Sequence, residues 1–171
     1  MKGARRKLLL IVAIFVAPMV VALGLRLSGY QPIGTKQYGT LLAPPVDFNA
    51  VVATPALPWA NTEGKWRVVL KAPERCGEPC VSMVDTLQRV WVGLGRRAGR
   101  VEIVYAGTPE PATSARLAQF PQARVVALAA DPLPAAGLAV YAIDPHGFWV
   151  LSYDAGFAPK GLTKDLERVL R

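Results

Sequence analysis

Hydrophobic and polar positions alternate on different periods along this chain, and each change of period marks an element. Leu8 to Leu25 is an unbroken apolar run without a charge. At 1.5 Å per residue it reaches about 27 Å, close to the hydrocarbon thickness of a bilayer. Periodicity then disappears: residues 26–58 carry Gly29, Pro32, Gly34, Gly39, Pro44, Pro45, Pro55 and Pro58. This composition predicts a tether that becomes an extended arm, with short edge strands at Thr40 to Leu42 and Val46 to Val52. Trp66 to Leu70 is short, apolar and β-branched, the pattern of an interior strand. From Pro79 the period becomes helical, with Met83, Leu87, Val90 and Leu94 on one stripe and Val84 and Trp91 widening it.

The later elements are shorter. Arg100 to Ala106 predicts a second strand, Gly107 to Glu110 a turn, Pro111 to Gln119 a short helix and Arg124 to Leu128 a third strand. Asp131 to Gly137 is a loop with two prolines. Leu138 to Ile143 and Phe148 to Tyr153 form a hairpin around Asp144-Pro145-His146-Gly147. Leu162 to Leu170 is a final amphipathic helix burying Leu162, Leu166, Val169 and Leu170. Strand, helix, strand over so short a span implies a right-handed βαβ unit with a parallel pair. The whole order, a βαβ half followed by a ββα half, predicts an α/β thioredoxin-like domain over residues 59–171 with a central mixed sheet.

Charge changes the picture mainly at the N-terminus. The net charge is +8, but Lys2, Arg5, Arg6, Lys7 and Arg26 supply five positive charges where there is no acid. The remainder has fifteen basic and twelve acidic side chains, an ordinary balance. Only Arg96, Arg97 and Arg100 cluster, and they read as a solvated helix C-terminus, so a nucleic-acid partner is not expected. The positive-inside rule leaves residues 1–7 as a cytoplasmic tail and sends the rest across the membrane, with residues 8–25 in contact with lipid. The apolar run is longer than a signal-peptide core, and Ala22-Leu23-Gly24 is a poor cleavage site, which favours an uncleaved anchor.

Chemistry concentrates on Cys76 and Cys80, the only two cysteines, between the first strand and the N-terminus of the long helix. A helix N-terminus favours a thiolate. Three readings stand. The sulfurs are soft donors suited to Cu(I). They are close enough in sequence to form a reversible disulfide in an oxidising compartment. Or they form a structural staple in a redox-inert interaction module. Arg75 favours a thiolate and Glu78 opposes it. No phosphate-binding glycine loop or histidine cluster appears, and neither Ser114 nor Ser152 has a histidine suggested by spacing, so a hydrolase is not expected.

The pieces GTLLAPPVDF (39–48), GKWRVVL (64–70), CGEPC (76–80), the Leu87 to Arg97 helix end, and IDPHGFWVLSY through PKGLTKDL (143–166) resemble the Sco/SenC family of membrane-anchored, thioredoxin-like copper-assembly proteins of cytochrome c oxidase. The resemblance implies Cys76 and Cys80 as copper ligands or as a redox dithiol, copper as the associated metal, and an oxidase subunit or other assembly factors as partners. It implies a single-pass protein of the bacterial inner membrane with a periplasmic domain. It also implies a third, histidine ligand near the start of the first hairpin strand. Asp131 to Leu138 contains none, and the single histidine, His146, lies in the hairpin turn, expected about a strand length, roughly 15–20 Å, from the thiols. Met83 is a candidate thioether donor or a core residue, and Pro134 a candidate for the proline that thioredoxin-like oxidoreductases hold in cis before the hairpin. The alternative is a scaffold whose anchor and arm bind an assembly partner. Enzymatic activity, if present, is thiol–disulfide exchange.

Overall fold

The computed structural model describes residues 2–28, 37–47, 61, 63–127 and 137–171. The chain divides into two compact units, Met1–Lys36 and Gln37–Arg171. The described residues of the first form one α-helix, α1 (Lys2–Leu27), with Pro18 inside it. Leu10–Leu27 is long and apolar enough to span a bilayer, and side chains such as Ile14, Phe15 and Met19 are exposed. The helix is longer than the expected 8–25 because the basic residues before it continue the same helical backbone.

Over its described residues, the second unit is a six-stranded mixed sheet with three α-helices. In chain order the elements are β1 (Thr40–Asp47), β2 (Trp66–Lys71), α2 (Glu78–Gly93), β3 (Val101–Ala106), α3 (Pro111–Ala118), β4 (Ala123–Val126), β5 (Ala139–Ile143), β6 (Phe148–Asp154) and α4 (Pro159–Val169). The sheet order is β1-β6-β5-β2-β3-β4. β2, β3 and β4 run parallel, and β5, β6 and β1 follow antiparallel. This is the expected thioredoxin-like arrangement, with the hairpin strand β5 beside the strand that leads to the cysteines.

Side-chain alternation divides the sheet into two buried faces. Val68, Leu70, Ile103, Tyr105, Val140, Ala142, Leu151 and Tyr153 pack with the apolar stripes of α2 and α4 and with Leu117 and Phe120. The opposite face carries Val69, Val104, Ala106, Val126, Ala139, Tyr141, Ile143 and Trp149. There Arg67, on the same face, is paired with Glu102 at 2.9 Å.

Several boundaries moved for identifiable reasons. The two expected edge strands at Thr40 to Leu42 and Val46 to Val52 are one strand, whose register shifts between Leu41 and Val46. Pro44 and Pro45 lie in that interval and offer no N–H to the ladder. Residues 48–52 and Leu128 lie outside the described residues, as does Pro134. The long helix ends at Gly93, and a 3-10 segment follows, Gly95–Arg100. Arg100 in that segment is therefore more than a solvated cation: its guanidinium donates to the Leu170 carbonyl at 2.5 Å and caps the end of α4. Val169, expected on the buried side, is 38% exposed, while Asp165 takes a buried position at 3%.

Candidate functional site

The cysteine loop sits at the carboxyl ends of the parallel strands, where open α/β sheets form their clefts. Ala72 N donates to the Ala106 carbonyl at 3.1 Å, and Gly107 N to the Val126 carbonyl at 2.9 Å, so the three strand ends are tied together beneath the loop. Gly107 has φ +141°, and a Cβ there would stand 3.2 Å from the Ala72 carbonyl oxygen. The chain then turns through Gly77, which has φ 54° and ψ −138°, a conformation open to glycine, and enters α2 with Pro79 in the first turn.

Cys76 and Cys80 are joined in a disulfide, with their Cα atoms 5.5 Å apart. The two sulfurs are not equivalent. Cys80, in the first turn of α2, is fully buried in the core, whereas Cys76 is partly exposed at its edge. The Tyr105 hydroxyl, itself buried, donates to Cys80 Sγ at 3.7 Å. The Glu110 carboxylate accepts from Gly77 N at 2.7 Å, bridging the α3 entry to the cysteine loop. Burial pushes the Tyr105 phenol above its ordinary pKa, and the neighbouring Glu110 charge pushes it the same way. It therefore remains an O–H donor throughout the neutral range.

Other predicted residues fall elsewhere. Met83 packs in the core cluster with Leu87 and Val90. His146 is exposed in the β5–β6 turn, where its N–H and that of Phe148 donate to Asp144 Oδ1, each at 2.9 Å. Ile143 lies opposite Arg67 and Ala139 opposite Lys71, so this turn is at the end of the sheet away from the cysteines. Five residues of strand separate the two ends, about 16 Å. Arg75 and Glu78 are exposed. Among the described residues no group of three or more His, Cys, Asp and Glu side chains gathers to hold a metal. The sulfur pair alone, once reduced, fits Cu(I) as a soft two-donor set.

Tyr105 and Glu110 were not read from the sequence. Alternation assigns Tyr105 to the face of Ile103, and register with Leu70 carries it to the start of α2, so its position was within reach. Glu110 was not, because it depends on how two loops approach each other.

A second cluster lies where the arm joins the domain. Asp165 Oδ2 accepts from Tyr38 N at 2.7 Å, Gly39 N at 3.0 Å and the Tyr153 hydroxyl at 2.9 Å. Its Oδ1 accepts from Arg168 at 3.0 Å. Tyr38 packs on Gly161, with Lys164 over its ring at 5.4 Å. Through Thr40 opposite Ser152, Ser152 opposite Tyr141 and Tyr141 opposite Val69, the arm enters at the cysteine end of the sheet.

No curated protein matches the chain. Among solved structures, the solution structure of apo Sco1 from Thermus thermophilus matches with a TM-score of 0.55 and 19% identity, over 80% of this chain and 99% of that one. Bradyrhizobium japonicum ScoI with copper bound gives 0.44 and 18% over 63% and 88%. A thiol:disulfide interchange protein from Bacteroides sp. gives 0.47 and 14% over 77% and 89%. The Thermus match establishes a common fold. The family model described as a transmembrane-like, thioredoxin-like C-terminal domain matches residues 66–171, from β2 through α4. With the sheet order and the cysteine-bearing crossover in place, this chain belongs to that transmembrane-like, thioredoxin-like family.

Proposed function

We propose that this chain is a membrane-anchored assembly factor that uses Cys76 and Cys80 as an exported dithiol to reduce the cysteines of a client copper site, the client being a subunit of a respiratory cytochrome c oxidase. The observation that carries this reading is the asymmetry of the pair. Cys76 is partly exposed and Cys80 is buried at a helix N-terminus, yet their sulfurs are joined. In the reduced protein, the Cys76 thiolate attacks a client disulfide and forms a mixed disulfide while one client sulfur leaves. The Cys80 thiolate then attacks Cys76 Sγ, the second client sulfur leaves, and the 76–80 disulfide forms. Two electrons pass to the client. A second exported dithiol restores the pair by the same exchange. As a staple, the bond would contribute only about 2 kcal/mol, because it closes a loop of about five residues.

The soft donor pair supports a related reading, in which the reduced protein carries Cu(I) as cargo between the same two sulfurs. The positive residues in the first turns of α1, ahead of its apolar run, support a cytoplasmic N-terminus and a periplasmic domain in a bacterial inner membrane.

The test is replacement of Cys76 or Cys80 by Ser in cells. Assembled oxidase is expected to fall at least tenfold in both variants with this protein's abundance unchanged, and the client cysteines to accumulate oxidised. Normal oxidase in both variants overturns the proposal in favour of a redox-inert scaffold. One-to-one Cu(I) binding by the reduced full chain, lost in Cys76→Ser, distinguishes delivery of copper from reduction alone.

A further inference from the structure

We propose that Tyr105 is a positioning residue of the dithiol cycle, its hydroxyl held against Cys80 so that this buried sulfur is the one expelled as a thiolate when the disulfide opens. The inference rests on the redox reading of the cysteine pair. An attacking thiolate can approach Cys76, which is partly exposed, but not Cys80, which is fully buried. Attack on Cys76 Sγ breaks the bond to Cys80 and leaves the electron pair on Cys80 Sγ. A thiolate formed there, away from water, needs a hydrogen-bond donor.

Three backbone N–H groups around Cys80 are already committed. Cys80 N and Val81 N both donate to the Gly77 carbonyl, at 3.2 and 3.5 Å, and Gly77 N donates to Glu110. The Tyr105 hydroxyl is directed at the sulfur already in the disulfide state, and a hydrogen bond of this kind shortens and strengthens when its acceptor becomes anionic. The burial and Glu110 charge that keep the phenol protonated also keep it a donor. Glu110 thus has two effects: it fixes the loop through Gly77, and its charge adds to the burial that keeps Tyr105 protonated.

The step balances without another component. The incoming dithiol's first thiolate bonds to Cys76 Sγ, and Cys80 leaves as a thiolate that accepts from Tyr105. The incoming dithiol's second thiolate attacks its own first sulfur, Cys76 leaves as a thiolate, and the reductant departs as a disulfide.

The test is a redox titration of the full chain in detergent against reduced and oxidised dithiothreitol, for the natural protein and Tyr105→Phe. Tyr105→Phe is expected to disfavour reduction about tenfold in the equilibrium constant, a fall of about 30 mV, and to slow opening of the disulfide, with the thermal midpoint of the oxidised form unchanged. Site-specific 3-fluorotyrosine at position 105, a stronger donor of nearly the same shape, is expected to shift the potential the opposite way and guards against a fold defect in the phenylalanine variant. An unchanged potential in both overturns the role of Tyr105 and leaves the dithiol reading standing. A folded natural protein that dithiothreitol fails to reduce overturns the dithiol reading itself.

Discussion

Two buried clusters in this domain place a tyrosine hydroxyl against an acceptor, and they differ in how completely the acceptor is satisfied. At the arm, Asp165 receives Tyr38 N, Gly39 N, Tyr153 and Arg168. At the cysteine loop, the side-chain donor to Cys80 Sγ is Tyr105, and the partner residue Cys76 is only partly buried. A carboxylate with four donors has little left to exchange, and its energy goes into holding two segments together. A sulfur with one side-chain donor and a partly exposed partner can change state without dismantling its surroundings. The first arrangement suits a clamp, and the second suits the dithiol cycle proposed above.

The largest expected effect tests the clamp. Asp165→Ala removes the shared acceptor of the Tyr38 and Gly39 N–H groups and the Tyr153 hydroxyl, and should cost about 3 kcal/mol, read as a large fall in thermal midpoint with the redox potential unchanged. A loss below about 1 kcal/mol would mean that the cluster is not a clamp. Gly161→Ala attacks the same junction by volume, since its Cβ would stand 2.8 Å from Tyr38 Cβ; about 2 kcal/mol is expected from overpacking, measured by urea unfolding. At the cysteine loop, Gly77→Ala meets no atom within 4 Å, but φ +54° disfavours any side chain, so about 1–2 kcal/mol is expected, together with a changed rate of disulfide opening.

A pH series separates the tyrosines. Burial foremost, then the charge of and hydrogen bond to Asp165, push the Tyr153 phenol well above its ordinary value. Its contribution is complete below the unfolded value of about 10 and is lost as pH rises beyond it, because the unfolded chain then releases a proton that the folded chain retains. Stability should decline above about pH 10, and Tyr153→Phe should flatten that limb; an equally steep decline in the variant would assign it elsewhere. The smallest effect is expected from His146→Ala. Cu(I) affinity and reduction potential should not change, since its turn lies at the opposite end of β2. A weakened Cu(I) complex would place the histidine in the site.

Much of the fold was legible because burial writes its period into the chain. The apolar run of α1, the β-branched core of β2, the stripe of α2 and the Asp144–Gly147 turn are local patterns, and each became the expected element. The cysteine pair was legible for a similar reason: a loop between strand and helix is a local feature. Less was visible where a residue's role depends on a distant partner. Asp165 reads as a surface acid between Leu162 and Leu166, and only the approach of Tyr38 and Gly39, more than 120 positions away, makes it buried. Arg100 reads as a solvated cation until the end of α4 reaches it.

By itself, then, the sequence determined the apolar N-terminal helix, the alternation of strands and helices, the parallel and hairpin halves of the sheet, and the location of the two thiols at a helix start. These follow from hydrophobic period, turn chemistry and chain connectivity, all of which act over a few residues. Tertiary structure decided which sulfur is buried, that Tyr105 and Glu110 attend it, and that Asp165 fastens the arm at the cysteine end of the sheet. Those outcomes depend on hydrogen bonds between segments that meet only when the sheet has formed, and no local pattern encodes the distance at which they meet.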